Sequence, residues 1–239
     1  MAVGGAKLGR VKEALAAAVK EGVKASEIED LAVKLIKDEG AEASFKKVPG
    51  YHWATCVNVN EGLVHGIPVA SVVFKKGDIV SIDVGVYYKG FHTDTSITVG
   101  IDLSSENRRF LNTGREALAK AIKEASEGNY IYDISKAIED TVTEAGFTPI
   151  KALVGHGVGR ELHEDPQIPC FLPAQAGVQE SPGIARGMTL AIEVMYAAGG
   201  DKVEVLEDGW TIAMRDGKIS GLFEDTVAVT ESGPIVLTR

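Results

Sequence analysis

The chain has 239 residues, 45% of them hydrophobic and 25% charged, which is typical of a globular protein with a sizeable core. Its net charge of −9 disfavours specific binding to nucleic acids, and its two cysteines are too few for a disulfide framework. With no secretory signal and no apolar run near the roughly 18 residues of a membrane span, the sequence predicts a cytoplasmic protein without a membrane partner.

Residues 8 to 40 predict two helices, because apolar residues recur at helical spacing on both sides of Gly22. Ser26 is the predicted N-cap of the second helix, and Gly40 marks its end. Turn signals then separate β-type runs. These runs are Cys56 to Val59, Ile79 to Val86 and Phe91 to Val99.

The second half of the chain repeats this plan. A helix is predicted over 109 to 127, Gly128 breaks it, and Asp133 caps a further helix that ends at Gly146. The breaks lie 106 residues after those of the first half. We therefore expect two related α-α-β halves packed as one domain over residues 1–239. The alternative, that any two pairs of amphipathic helices look alike, stays open.

Asp83 and Asp94 lie on two β-type runs joined by a tight turn near residues 88 to 90. With a two-residue loop, facing residues have indices of opposite parity, so these carboxylates share one face, opposite each other or one step diagonal. Such acids repel unless a cation lies between them. Asp83 interrupts an apolar run, but the pair alone leaves both a metal site and two solvated acids open.

His156 lies in the run Gly155–Arg160, whose alternate glycines let the backbone approach a ligand. No Lys-Ser/Thr pair follows, so we discount nucleotide binding. His163 comes seven residues later, and either histidine alone is readily explained as structural.

Glu193 and Glu224 also interrupt apolar strand-like runs, where a carboxylate is costly unless it is paired or bound to metal. Asp225 points to the opposite strand face, where we expect it to be solvated. Taken together, four embedded acids and one imidazole match the charge and ligand preference of two Mn, Fe, Co or Zn ions. Two such ions bridged by water would generate hydroxide at neutral pH.

The ordered motifs resemble the bacterial (type I) methionine aminopeptidases of the pita-bread metallopeptidase family, from about residue 8 to the end. The motifs are His65-Gly66-Ile67-Pro68, Asp83 with Asp94, Gly155–Arg160 with His163, Glu193 and Glu224. The resemblance implies an α+β pita-bread fold with pseudo-two-fold α-α-β halves and a curved, mainly antiparallel sheet covered by helices. It also implies one catalytic domain without an N-terminal extension domain.

The resemblance further implies residue roles. Asp83, Asp94, His156, Glu193 and Glu224 would bind two divalent ions, with Asp94 and Glu224 bridging them and Glu193 also acting as general base. His65 and His163 would hold the substrate amide. Tyr51, His52, Cys56, Leu162, Trp210 and Phe223 would line the substrate pocket. Asn60 and Ser220 match positions near a monovalent cation in relatives.

The implied activity is removal of the initiator methionine from nascent proteins with a small second residue, by a metal-bridged hydroxide that attacks the first peptide bond. Nascent N-termini would be the partners, contact with the ribosome fits this role, and a monomer is expected. Leu162, where an aromatic is usual, and Asp225, where histidine is usual, depart from the pattern. The 29 residues between His163 and Glu193 favour type I.

Two alternatives remain. An Xaa-Pro dipeptidase or aminopeptidase of the same fold would use the same five ligands, and the run Glu224–Val227 resembles that branch. Such enzymes usually carry a large extra N-terminal domain, for which this chain has no room. A non-catalytic binding module on the same fold would be marked by lost ligands, and all five are present.

Overall fold

A computed structural model describes residues 1–239 and contains four helices and thirteen strands. The helices are α1 (Ala2–Ala18), α2 (Ala25–Asp38), α3 (Ser105–Glu124) and α4 (Ile131–Glu144). The strands are β1 (Glu42–Ala43), β2 (Thr55–Val59), β3 (Gly62–Val64), β4 (Ile79–Tyr88), β5 (Phe91–Gly100), β6 (Thr148–Pro149), β7 (Val154–Gly157), β8 (Glu164–Pro169), β9 (Thr189–Ala197), β10 (Val203–Val205), β11 (Ile212–Met214), β12 (Ser220–Thr230) and β13 (Gly233–Val236). None of the helices is long and apolar enough to span a bilayer.

Ten strands form one antiparallel sheet in the order β1-β4-β5-β12-β9-β7-β8, with β2, β6 and β13 paired at its sides. A smaller sheet has the order β10-β11-β3. Side chains alternate between the faces of a strand, so Ile82 and Val84 of β4 join a core with Leu8 of α1, and Asp83 points to the other face. Phe110 of α3 and Ile192 of β9 belong to the core of the second half. The predicted α+β architecture is confirmed.

The two halves share details at their helix termini. Gly22 and Gly128, which lie between the two helices of each half, have φ of +84° and +95°. Gly40 and Gly146, which follow the second helix of each half, have φ of +65° and +80°. Glycine adopts this left-handed conformation without a steric penalty, which is why it follows the last turn of α2 and of α4. The first helix of the second half, α3, ends three residues before the predicted residue 127.

The predicted N-caps are wrong by two and three residues. Ser26 lies within α2, whose N-cap is Lys24, and Asp133 is the third residue of α4, whose N-cap is Tyr130. In both helices an acid at this third position accepts a hydrogen bond from the N-cap N–H. The distances are 2.9 Å from Lys24 N to Glu27 Oε2 and 2.8 Å from Tyr130 N to Asp133 Oδ2. The acid thereby satisfies the N–H of the N-cap residue itself, which is one half of a capping box.

Helix α1 begins at Ala2, six residues before the predicted start. Three glycines near its start lower its intrinsic helix propensity, so the sequence pattern did not predict these first residues as helix. Tertiary packing explains their presence: a Cβ atom at Gly5 would lie 2.5 Å from the carbonyl oxygen of Leu237, and one at Gly9 would lie 2.9 Å from that of Thr238. The glycines therefore let α1 lie directly against the C-terminal segment.

We expect Gly5→Ala to lower the free energy of unfolding by about 1–3 kcal/mol, because the added Cβ overlaps backbone atoms of Leu237. This loss should appear even though alanine is the better helix former by about 1 kcal/mol. The matched control is Gly183→Ala, where a Cβ meets no atom within 4 Å and φ is ordinary. Urea denaturation of both variants measures the effect, and a Gly5→Ala protein as stable as wild type would contradict this packing.

Candidate metal centre and substrate cavity

The hairpin of β4 and β5 places the two aspartates on one face of the sheet. Its loop is Lys89-Gly90, and both residues have positive φ, of 49° and 87°, as the tight two-residue hairpin turn requires. The register pairs Asp83 with Ser96, two residues beyond Asp94. The aspartates are therefore one step diagonal, which is one of the two predicted arrangements.

The second half brings two glutamates to the same place. Glu193 of β9 and Glu224 of β12 face each other directly, and Glu224 is also the cross-strand partner of Ser96. Ser96 thus has Asp83 on one side and Glu224 on the other. His156 enters from the adjoining strand β7, opposite Ala191 on β9. Four neighbouring strands carry the four acids, and a fifth carries the imidazole.

These side chains converge closely enough to share metal ions. Asp94, His156 and Glu224 each offer a ligand atom, and the three atoms lie within 4.8 Å of one another. His156 Nε2 is 3.5 Å from Glu193 Oε1. Asp83 Oδ1 and Glu224 Oε1 are buried without any hydrogen-bond partner, which is costly in an apolar interior. A divalent cation would satisfy these oxygens, so the donor set fits one.

The electrostatics of the site point the same way. Burial raises the pKa of Asp94 to about 7. Burial, and secondly the charge of Asp94, raise the pKa of Asp83, Glu193 and Glu224 well above the usual range. Without a cation, the site therefore disfavours the ionised form of its carboxyl groups. Bound cations would stabilise the ionised form.

His156 is held in the form that binds a metal. Burial lowers its pKa to about 4, so the ring is neutral at physiological pH. Its Nδ1 lies 2.8 Å from the carbonyl oxygen of Gly157, which can only accept a hydrogen bond. The ring proton therefore lies on Nδ1, and Nε2 presents its lone pair toward Glu193.

Two further histidines line the same cavity. The ring of His163 is 4.5 Å from that of His156, and burial lowers the pKa of both His65 and His163. His65 has φ of +58°, an uncommon backbone conformation for a residue with a side chain. The next residue, Gly66, has no room for a Cβ, which would lie 2.4 Å from the carbonyl oxygen of Val57. A strained residue on a tightly packed loop is frequent at functional sites.

The cavity above the acids has a volume of about 270 Å³. Its walls include all five candidate ligands, both of these histidines and four of the six predicted pocket residues. The lining residues are Phe45, Val48, Tyr51, Cys56, Val64, His65, Asp83, Asp94, His156, Leu162, His163, Glu193, Trp210 and Glu224. Phe45, Val48 and Val64 were missed because nothing in their local pattern distinguishes them from core residues.

Two predicted pocket residues, Phe223 and His52, are not in the cavity wall. Phe223 is adjacent to Glu224 on β12, so its side chain lies on the opposite face, where it fills the space left by Gly114 of α3. His52 is exposed and lies outside the cavity lining, with its ring 6.0 Å from that of Trp53.

The apolar end of the cavity is built around Tyr51. Its ring packs edge-on against Trp210 at 5.1 Å, and its hydroxyl lies 2.8 Å from the carbonyl oxygen of Thr55 and 3.2 Å from Cys56 Sγ. Burial raises the pKa of the Cys56 thiol well above its usual value, so it stays protonated and is a poor nucleophile. Cys56 is thus a wall residue.

Glu29 of α2 is a site-supporting residue that the sequence did not reveal. Its carboxylate accepts hydrogen bonds from the N–H groups of Ala54 and Thr55, at 2.8 and 2.9 Å, and from the Thr55 hydroxyl at 2.8 Å. These bonds fix the start of β2, and hence the position of Cys56. The one available signal was an acid beside Ile28 on the apolar face of the helix.

The chain belongs to metallopeptidase family M24, whose model matches residues 1–231. Within the family it is similar to methionine aminopeptidase 1 of Bacillus subtilis, at 43% identity over 222 residues that cover 92% of this chain and 88% of that protein. It is also 39% identical to the methionine aminopeptidase of Clostridium perfringens, with 97% and 91% covered.

Solved structures show the same relationship. A methionine aminopeptidase from Thermotoga maritima superposes with a TM-score of 0.95 at 40% identity, covering 100% of this chain and 95% of the other. A prolidase from Pyrococcus furiosus has a TM-score of 0.77 at 22% identity, and the match covers 100% of this chain but 62% of the prolidase. That second likeness shows the fold alone.

Without metal, the protein should lose stability as the pH rises from about 4 to about 7. The folded state keeps the Asp94 proton up to about pH 7, whereas the unfolded chain loses it near 3.8. The contribution of this raised pKa is complete below pH 3.8 and is lost as the pH rises through 7. Urea denaturation of EDTA-treated protein measures it against Asp94→Asn, whose amide does not titrate. Equal pH dependence of both proteins over this range would refute the prediction.

Proposed function

We propose that the protein removes the N-terminal methionine from newly made polypeptides whose second residue is small. The convergence of four buried carboxylates and a neutral imidazole below an apolar cavity is the observation that carries this proposal. The similarity to bacterial methionine aminopeptidases over nearly the whole chain supports this substrate. On this proposal residues 1–239 act as one catalytic domain of a cytoplasmic, monomeric enzyme.

Asp83, Asp94, His156, Glu193 and Glu224 would hold two divalent ions, of Co, Mn, Fe or Zn, with Asp94 and Glu224 shared between them. When bound, the ions would polarise the scissile carbonyl and lower the pKa of a water molecule. Glu193 would accept the proton of that water, since its carboxylate lines the cavity beside His156 Nε2.

His65 and His163 would bind and orient the substrate amide. Both rings line the cavity and both have a lowered pKa, so each is a neutral imidazole that can donate one hydrogen bond. His163 would stabilise the developing oxyanion, because its ring lies 4.5 Å from that of His156 at the centre of the site. His65 would hold the other side of the amide and help to protonate the leaving amine, with the proton supplied by Glu193, which accepted it from water.

The methionine side chain would occupy the apolar end of the cavity, between Tyr51, Cys56, Leu162 and Trp210. A thioether packs favourably against aromatic rings, and Tyr51 and Trp210 form one continuous aromatic wall. Leu162 has no ring and is smaller than an aromatic residue at the same position would be, so we expect this pocket to be wider there.

The proposal extends to partners and to a third cation. The substrate would be the N-terminus of a nascent chain, which brings the enzyme near the ribosome. A monovalent cation would bind beside Asn60 and Ser220. These residues are adjacent, since Ser220 N donates to the Asn60 carbonyl oxygen at 2.8 Å and Ser220 Oγ donates to that of Gly62 at 2.9 Å.

Purified protein with Mn²⁺ or Co²⁺ should release methionine from Met-Ala-Ser, and EDTA should abolish the release because the nucleophile depends on metal. Chromatographic detection of free methionine measures this. The control peptide Ala-Pro-Ser should stay intact. Cleavage of Ala-Pro-Ser with none of Met-Ala-Ser would instead assign the chain to the Xaa-Pro branch of the fold.

His163→Ala and Asp94→Ala should separate substrate binding from metal binding. Loss of the His163 donor should lower kcat by about 10²–10³ and leave metal content unchanged, as for removal of one oxyanion donor. Asp94→Ala should lose metal, because it removes a ligand shared by both ions. Mass spectrometry measures the metal content of each variant, and the kinetics of Met-Ala-Ser cleavage measure its activity. A metal-replete, fully active Asp94→Ala enzyme would rule out the ligand role.

A further inference from the structure

A buried ion pair lies on the sheet face opposite the candidate metal ligands. Lys12 of α1 places its Nζ 2.6 Å from Asp225 Oδ1, and the two side chains are only 11% and 4% exposed. The predicted solvation of Asp225 is therefore wrong: its side chain is buried, and its carboxylate is paired with Lys12 of α1. Lys12 also donates to the hydroxyl of Thr95 on β5 at 2.9 Å.

Both partners of Lys12 adjoin a candidate ligand along the chain. Thr95 follows Asp94, and Asp225 follows Glu224, and the two are themselves cross-strand partners. The Thr95 hydroxyl donates to the carbonyl oxygen of Glu224 at 2.7 Å, and the Thr95 N–H donates to Asp94 Oδ1 at 2.9 Å. One lysine thus contacts the backbone neighbours of both ligands that would be shared between the ions.

The contacts of Lys12 lie at the junction of β5 with β12, where the two halves of the sheet meet. Strands β4 and β5 are aligned at ten residue pairs, and β9 and β12 at nine, but β5 and β12 at only two. Threonine side chains bridge much of the rest. Thr226 Oγ1 donates to the Asp94 carbonyl oxygen at 2.7 Å, and Thr98 Oγ1 donates to that of Leu222 at 2.6 Å.

The C-terminal segment closes the same network. The Thr238 hydroxyl donates to Asp225 Oδ1 at 2.8 Å and accepts from Thr226 N at 3.2 Å. Arg239 lies 3.3 Å from Asp225 Oδ2, but its side chain is largely exposed and water weakens this contact. Asp225 thereby ties α1 and the end of the chain to the β5–β12 junction.

We propose that Lys12 and Asp225 are positioning residues for the metal centre, and that with Thr95 they fix the separation of Asp94 and Glu224 across the β5–β12 junction. The proposal rests on the proposed ligand roles of these two acids. Stability alone does not explain a buried ion pair, since well-packed apolar residues of similar size commonly stabilise a core as well or better. Because β5 and β12 are aligned at only two residue pairs, side-chain contacts are needed to set the distance between Asp94 and Glu224.

The test measures Mn²⁺ affinity by isothermal titration calorimetry and, separately, the unfolding midpoint of the metal-free protein. Lys12→Met leaves the Asp225 carboxylate buried without its lysine partner. Asp225→Asn keeps the shape but removes the charge, and the double variant Lys12→Met/Asp225→Leu replaces the pair by apolar groups. The matched control is Lys120→Met, which breaks an exposed ion pair with Glu116 far from the junction.

We expect Asp225→Asn and the double variant to bind Mn²⁺ at least tenfold more weakly than wild type, and Lys120→Met to bind within twofold of it. The double variant should recover the unfolding midpoint that Lys12→Met loses, without recovering affinity. A double variant with wild-type midpoint and wild-type Mn²⁺ affinity would show that the pair has only a structural role, and would overturn the proposal.

This failure is distinct from failure of the proposed function. If wild-type protein binds Mn²⁺ but releases no methionine from Met-Ala-Ser, the substrate assignment fails, and the affinity ratio between wild type and the double variant still decides the positioning role. If wild type releases methionine and all variants bind Mn²⁺ equally, the positioning role alone is refuted.

Discussion

The structure depends on holding four carboxylates together in a place where they repel one another. Asp83, Asp94, Glu193 and Glu224 are surrounded by protein, so water does little to screen their charges. A flexible scaffold would let such groups move apart. The sheet prevents this, because each acid projects from a strand that is paired on both sides. The ladder of backbone bonds therefore maintains a charge cluster that becomes favourable only when cations occupy it.

Because successive side chains of a strand point to opposite faces, neighbouring residues of β12 have different roles. On β12, Glu224 faces the cavity, whereas its neighbours Phe223 and Asp225 face the helices. Phe223 fills the space beside Gly114 and secures α3, and Asp225 secures α1 through Lys12. Three consecutive residues thus belong to an apolar core, the carboxylate cluster and a buried ion pair.

The sequence predicted what depends on local pattern and missed what depends on distant partners. The parity argument placed Asp83 and Asp94 on one face, but the actual diagonal offset required the loop Lys89-Gly90 to be located. Alternation along β12 places Phe223 on the face opposite Glu224, whereas the family resemblance placed it in the pocket. The burial of Asp225 was not readable, because its partner Lys12 is 213 residues away. The supports from Glu29 are likewise invisible without the packed helix.

The duplicated plan explains why the centre lies where it does. The first half supplies Asp83 and Asp94 from one hairpin, and the second supplies Glu193 and Glu224 from the strands β9 and β12. Neither half alone presents more than two carboxylates, so the complete cluster of four arises only where β5 meets β12. That boundary has the shortest ladder among these four strands, and threonine hydroxyls and the Lys12–Asp225 pair supplement it. The spacing within each pair of acids is therefore set by its own strand ladder, and the separation between the two pairs is set by contacts between the halves.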